Sequence, residues 1–373
     1  MITTIAMSGG VDSSAAAWLL KNDPVFQAEY PDNKLLGVTH WWDELRLSSP
    51  GLQERAASVC SRLDIPYRVF DLGGDFRSKV MDDFASSYTR GETPNPCVRC
   101  NERIRFREFY SLCHDEAGRF ADGENLPFAD KDFRFCTGHY VRTEVRNGRT
   151  FLKKAVDPTK DQSYMLYRIP AEVLEHCIFP LGSYTKDRIK SIAAEHGFFG
   201  TAIKESQDIC FIDDDYISFL KRHLEPSALK RLDKPGRIFD MEGNLLGPSR
   251  GFLHYTIGQR KGLGLGDGPW YVTGVSAEDN IVRVGRREQL GVKRFGVKEL
   301  NWFIPEADSV LAKGLECRVQ VRYNSTEYSS RCTSSAEGAV VELEVPAVAT
   351  PGQSAVFYDG DLVIGGGIIC RLE

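Results

Sequence analysis

The stretch Ser8-Gly9-Gly10-Val11-Asp12-Ser13-Ser14 constrains this chain more than any other. It joins a β-branched run, "ITTIAM", to the Ala/Leu-rich "AAAWLLKN". A buried strand that enters a glycine turn and leaves as a helix gathers backbone N–H groups and the helix's positive end at one point. Serine hydroxyls add donors, so a phosphate group is the expected ligand. No Gly-Lys-Ser/Thr closes the loop, which excludes a Walker loop, and the dinucleotide pattern G-x-G-x-x-G is missing as well. A tight turn without a ligand is the plain alternative.

The following segments alternate. "KLLGVTHWW" reads as a second strand, "GLQERAASVCSRLDI" as a helix and "YRVFDL" as a third strand. Strand–helix–strand–helix–strand predicts an α/β domain with a parallel sheet. "EAGRFADGENLPFADKD" is polar and reads as a loop; "DFRFCTGHY" resumes a strand that ends at Gly138-His139. "YTKDRIKSIAAEHGF" reads as a helix with Thr185 as N-cap. After about residue 208 the chain turns glycine-rich with short β runs, and the last stretch predicts a β-barrel. The expected domains are residues 1–206, 207–285 and 286–373.

Composition excludes several classes. With 42% hydrophobic and 27% charged residues the chain is globular in type. No apolar run reaches the roughly 20 residues of a membrane span. The N-terminus lacks a signal-peptide pattern, so a cytoplasmic protein without membrane contact is expected. A net charge of −5 argues against wholesale coating by nucleic acid but allows local basic surfaces. Such clusters are Arg99, Arg103, Arg105 and Arg107 along one expected helix, then Arg260-Lys261, Arg286-Arg287 and Lys293-Arg294. The ten cysteines are too scattered for a disulfide scaffold, and Cys60, Cys113, Cys136, Cys177, Cys317, Cys332 and Cys370 read as packing residues.

"TPNPCVRCN" is different, because Cys97 and Cys100 sit three apart behind a rigid Pro-Asn-Pro. A structural zinc site needs four ligands, and only distant partners such as Cys113, His114 or Cys136 would complete one. A dithiol redox pair is a second reading, although it usually opens a helix directly after a strand. Cys210, in "ESQDICFID", would pass alone for a strand cysteine.

Taken together, the blocks carry a resemblance. "SGGVDS" resembles the PP-loop of ATP pyrophosphatases, which holds the pyrophosphate end of ATP. "SGGVDSS", "TPNPCVRCN", "TGHY", "KDQSYML", "FPLGSYTK", "ESQDICFI", "YTIGQRKGLGLG", "PWYV" and "TPGQSAVFYDGD" stand in the order and spacing of the tRNA-specific 2-thiouridylases, over nearly the whole chain. The resemblance implies a PP-loop domain of the adenine nucleotide alpha hydrolase-like, Rossmann-like kind, a small central domain and a tRNA-binding β-barrel. It implies that ATP with Mg2+ adenylates the C2 oxygen of the wobble uridine in tRNAs for Lys, Glu and Gln. Persulfide sulfur then displaces AMP. An upstream persulfide or sulfide donor protein is implied too.

Carried over residue by residue, Cys100 is the first catalytic cysteine and Cys210 the persulfide carrier, with a disulfide between them during the cycle. ATP contacts fall on Ala6, Met7, Ser8, Gly9, Gly10, Val11, Asp12, Ser13, Thr39 and Gly138. Asn95, Pro96 and Cys97 meet the target base. His139, Lys160, Asp161, Gln162, Arg322, Tyr323 and Gln353 match the tRNA-contact positions, and the basic clusters are expected to line a tRNA-facing surface. From the residues alone, His139 reads equally as a satisfied core histidine, and Lys160-Asp161 as a solvated pair. Cys97 departs from the family, where Asp is common, and Asn324 stands where Arg is commoner. Cys97, Cys100 and Cys210 could instead hold three irons of a [4Fe-4S] cluster, with one iron open to sulfide. A PP-loop ligase acting on a small metabolite and a non-catalytic tRNA binder are the other classes.

Overall fold

The strand β1 (Ile2–Ala6) runs through the middle of a parallel sheet, and Ile2, Thr3, Thr4 and Ile5 are all buried. Burial on both faces is the reason this run is β-branched rather than alternating. The computed structural model describes residues 1–42, 51–198 and 209–372. After β1 come β2 (Lys34–Trp41), β3 (Tyr67–Asp71) and β4 (Phe133–Cys136). A hairpin of β5 (Val141–Arg146) and β6 (Arg149–Lys154) follows, then β7 (Cys177–Ile178). The sheet order is β3-β2-β1-β4-β7, with β1 parallel to both neighbours. The expected parallel α/β sheet is therefore present.

Two compact units divide the chain: Met1–Val80 with Cys97–Phe211 and Asp361–Ile364, and Met81–Pro96 with Ile212–Gly360 and Gly365–Glu373. The second unit holds a four-stranded sheet of β8 (Gly236–Phe239), β9 (Leu245–Ser249), β10 (Tyr271–Ser276) and β11 (Ile281–Gly285). It also holds β12 (Val292–Trp302), β13 (Leu315–Gln320), β14 (Tyr328–Ser335), β15 (Gly338–Ala347), β16 (Ser354–Asp359) and most of β17 (Leu362–Cys370). These run β12-β15-β14-β13-β16-β17, and β17 pairs back onto β12, which closes the barrel and removes its edges. The expected boundary at 206 and 207 lies outside the described residues.

Two sequence expectations change. Thr185 does cap Lys186–Glu195, accepting from the Arg188 N–H. The polar run expected as a loop from Glu116, however, is helical through Gly123, within the helix Tyr110–Gly123. Its inward face is Cys113, Ala117 and Ala121, all fully buried, and such small residues at four-residue spacing leave little apolar signal.

The arginines behind Cys100 do not share one outward face. Residues Cys100–Phe109 are wound as a π-helix, with Phe106 at φ −102°, ψ 15° breaking the pattern. Arg99 turns inward at 8% exposure and Arg107 is exposed. Glu102, also buried, takes Arg168 Nη2 at 2.7 Å and Arg99 Nη1 at 3.2 Å. Burial pushes the Glu102 carboxyl up, but Arg168 and Arg99 outweigh it and hold it below the ordinary value.

Removing one member of a buried ion network costs about 3 to 5 kcal/mol. Glu102→Gln should therefore lower stability by about that amount in urea unfolding at pH 7. Because the folded value is depressed, the contribution is complete above the unfolded value of about 4.3 and fades as pH falls through the folded one. The gap between wild type and variant should narrow below pH 4; a gap independent of pH would refute the ion-network account.

Candidate active site

Strand β1 delivers Met7 into the glycine loop. The Met7 N–H bonds Val38 O at 2.7 Å, and the Met7 carbonyl accepts from the Thr39 hydroxyl. Tyr67 OH in turn donates to Thr39 Oγ1 at 2.8 Å. Thr39 thus uses its proton to fix the loop's entry. Gly9 has φ +71°, and a Cβ there would stand 2.3 Å from the Leu52 carbonyl oxygen. Only glycine meets both demands. Ser13 Oγ lies 3.1 Å from Ser8 Oγ and donates to Gly10 O at 3.1 Å, which ties the two ends of the loop together. Helix Val11–Asn22 starts at Gly10 with no side-chain cap, as an anion-receiving helix end would.

The turn after β4 is pressed onto this loop. A Cβ on Gly138 would lie 3.0 Å from Asp12 C and 3.0 Å from Ser13 N. The next residue, His139, is 8% exposed and has Thr137 Oγ1 at 2.8 Å from Nδ1 and Arg105 Nη1 at 3.1 Å from Nε2. A guanidinium has no acceptor, so Nε2 must be unprotonated and Nδ1 carries the hydrogen. Burial, followed by the Arg105 charge, lowers the His139 value to about 3, so the ring is neutral. Tyr140 places its OH 2.8 Å from Asp12 Oδ1.

Arg105 is the residue whose role sequence reasoning misplaced. Expected among the surface cations, it instead bonds His139 and Asn101 Oδ1, and its buried Nε–H has no acceptor among the described residues. Its charge acts on Cys97, Cys100 and Cys210 alike. Burial pushes Cys100 up to about 12, Arg105 opposes this, and Cys210 and Cys97 add to the rise. Cys210 rises to about 11, from crowding by protein and from Cys97, with Arg105 again opposing. Cys97 and Cys210 are exposed all the same, while Cys100 is half-buried. Cys210, distant in sequence, is thus an electrostatic neighbour of Cys97 and Cys100, and all three are free thiols.

A [4Fe-4S] cluster would take one thiolate to each of three irons, and Cys97, Cys100 and Cys210 are the thiols that would supply them. Among the described residues no group of three or more His, Cys, Asp and Glu side chains is gathered as a metal ion requires.

The expected tRNA-contact residues are placed unequally. Asp161 faces inward and accepts from Ala155 N at 2.8 Å and Ser163 Oγ at 2.6 Å; burial raises its carboxyl. Gln162 Oε1 accepts from Tyr140 N at 2.8 Å. In the second unit Arg322 is exposed between β13 and β14, with Tyr323 beside it half-buried. Gln353 Nε2 donates to Thr93 O at 2.7 Å, two residues before Asn95. Lys186, to which the sequence reading gave no role, brings Nζ to 2.8 Å from both Asp12 oxygens. Its only sequence signal was its place in "FPLGSYTK".

Family models match the chain as a tRNA methyl transferase HUP domain at residues 1–214, a tRNA methyl transferase PRC-barrel domain at 217–286 and an aminomethyltransferase beta-barrel domain at 292–369. The chain is 42% identical to a tRNA-specific 2-thiouridylase of Chloroflexus aurantiacus, over 99% of its length and 98% of the relative's. It is 41% identical to that of Chloroflexus aggregans over 99% and 98%, and 37% identical to that of Clostridioides difficile over 98% and 97%.

Gly9→Ala should weaken ATP binding by more than about tenfold in calorimetric titration, since the loop must shift to clear a backbone carbonyl and a side chain is strained at this φ. Unchanged affinity in a folded variant would contradict the loop assignment.

Proposed function

The chain belongs to the tRNA-specific 2-thiouridylase family, and on that premise we propose how its residues carry the reaction. The protein is an ATP-dependent tRNA sulfurtransferase. The family-model descriptions speak of methyl transfer and the relatives' names of thiolation. The residues side with thiolation: methyl transfer would leave the glycine loop and the three adjacent thiols without a task.

The observation that carries the reading is the strand end Thr137-Gly138-His139-Tyr140. Gly138 rests on the loop, and His139 holds the arginine whose charge reaches the thiols. ATP, brought with Mg2+, lies with its phosphates on Ser8–Ser14. The C2 oxygen of the wobble uridine attacks the α-phosphate and pyrophosphate leaves. The terminal sulfur of a Cys210 persulfide attacks C2, and the C2–O bond breaks as AMP departs. Cys100 then attacks the Cys210 sulfur. The S–S bond breaks, the thiocarbonyl stays on the base, and a Cys100–Cys210 disulfide forms, which an external thiol reductant reopens.

Arg105 supports the sulfur steps. Thiols crowded by protein are reluctant to ionise, and a fixed cation favours the sulfur anion at each stage. Half-buried Cys100 stays protonated, and therefore quiet, until the persulfide is engaged. Asn95, Pro96 and Cys97 are assigned to the target base, which must leave its stack to reach the thiols. Lys160, Asp161, Gln162, His139, Arg322, Tyr323 and Gln353 are assigned to the tRNA side. Within this proposal Asp161, Gln162 and His139, held by Ser163, Tyr140 and Arg105, act by shaping the backbone around them. The tRNAs for Lys, Glu and Gln, and a persulfide or sulfide donor protein, complete the proposal, which runs through the persulfide and not through a cluster.

Cys100→Ser and Cys210→Ser should each abolish 2-thiouridine formation while tRNA affinity in a filter assay stays near wild type. Cys97→Ser should retain product. Loss of tRNA binding in the first two, or loss of product in the third, would contradict these roles.

A further inference from the structure

Two hydrogen-bonded routes connect one short segment, residues 155–163, to Asp12 of the glycine loop. The first runs through Tyr140. Its N–H bonds Gln162 Oε1 at 2.8 Å, its carbonyl accepts from Gln162 N at 3.0 Å, and its hydroxyl lies 2.8 Å from Asp12 Oδ1. The second runs through Lys186. Its backbone N–H bonds Asp157 Oδ2 at 3.0 Å, and its Nζ lies 2.8 Å from both Asp12 oxygens. Tyr140 is 3% exposed and Lys186 7%. The Lys186 ammonium also sits 5.4 Å from the centre of the Tyr140 ring, so the two routes touch.

Lys160 lies between the two anchors, Asp157 and Gln162. The segment is stiff around it: Thr159 bonds Asp157 through N at 3.0 Å and Oγ1 at 2.7 Å, and Ser163 and Ala155 bond Asp161. A stiff segment displaced at Lys160 moves both anchors together. Each anchor ends on the same carboxylate, one residue before Ser13, whose hydroxyl holds the loop together. Charge-assisted hydrogen bonds such as Lys186 to Asp12 are the strong members of such chains.

We propose that Tyr140 and Lys186 are positioning residues that couple occupancy at Lys160 to the shape of the glycine loop, so that ATP and tRNA bind cooperatively. This rests on the assignment of ATP to the loop and of tRNA to Lys160. Functionally, the coupling keeps adenylation for the moment when a uridine is in place. Linkage makes it reciprocal: whatever tRNA does for ATP affinity, ATP does for tRNA affinity.

The test is the tRNA dissociation constant of the full-length protein with and without a non-cleavable α,β-methylene ATP analogue and Mg2+. Wild type should bind tRNA tighter with the analogue by a factor on the order of ten, a usual size for such coupling. Tyr140→Phe removes one hydroxyl and keeps the buried ring, and its coupling factor should fall towards one. Lys186→Met should do the same, and Lys186→Arg should restore part of it. A merely supporting role would weaken each ligand alone and leave the factor intact; that result, or a factor of one in wild type, overturns the proposal. Failure of wild type to bind the analogue or tRNA at all would instead bring down the underlying assignment, and the coupling with it.

Discussion

The site depends on the packing of Gly138 against the backbone of Asp12 and Ser13. A single added carbon would stand 3.0 Å from two main-chain atoms, so a side chain there would force the turn after β4 or the glycine loop to give by a few tenths of an ångström. Everything functional is then placed by the neighbours of that glycine. Thr137 sets the His139 tautomer, His139 receives Arg105, and Tyr140 reaches Asp12. Four consecutive residues thereby bring the glycine loop and the three thiols to one strand end, and in parallel sheets ligands lie beyond the carboxyl ends of the strands.

The electrostatics of the sulfur centre are restrained rather than activating. Burial raises all three thiols and Arg105 only opposes it. A centre of this kind does not present a free thiolate to every passing electrophile. A persulfide ionises more readily than a thiol, and beside a fixed guanidinium it gains most where the thiols gain least. On our proposal the site therefore becomes nucleophilic when loaded with sulfur, and the neutral His139, by accepting from Arg105, keeps the cation directed without adding a second charge.

How legible this was from sequence differs by residue. The loop's conformation could be read because it lies in backbone geometry, which glycine and serine announce directly. The parallel sheet and Thr185 cap were legible for the same local reason. The helix Tyr110–Gly123 was missed in its second half because Cys113, Ala117 and Ala121 pack by smallness, not by hydrophobicity. Arg99 and Arg105 look in sequence like surface cations; Glu102, itself held by the distant Arg168, receives Arg99, and the distant His139 receives Arg105. Lys186 was silent for the same reason, since Asp12 lies far from it along the chain. Long-range charge pairing is the information a single sequence withholds.

The central claim is that sulfur passes through a cysteine persulfide next to an ATP loop. Its most direct test uses iron-free protein under anaerobic conditions with unmodified tRNA for Glu, ATP and a persulfide donor, and 2-thiouridine read by mass spectrometry. The account predicts product without iron. Product that appears only after reconstitution with iron and sulfide would contradict it and make Cys97, Cys100 and Cys210 cluster ligands.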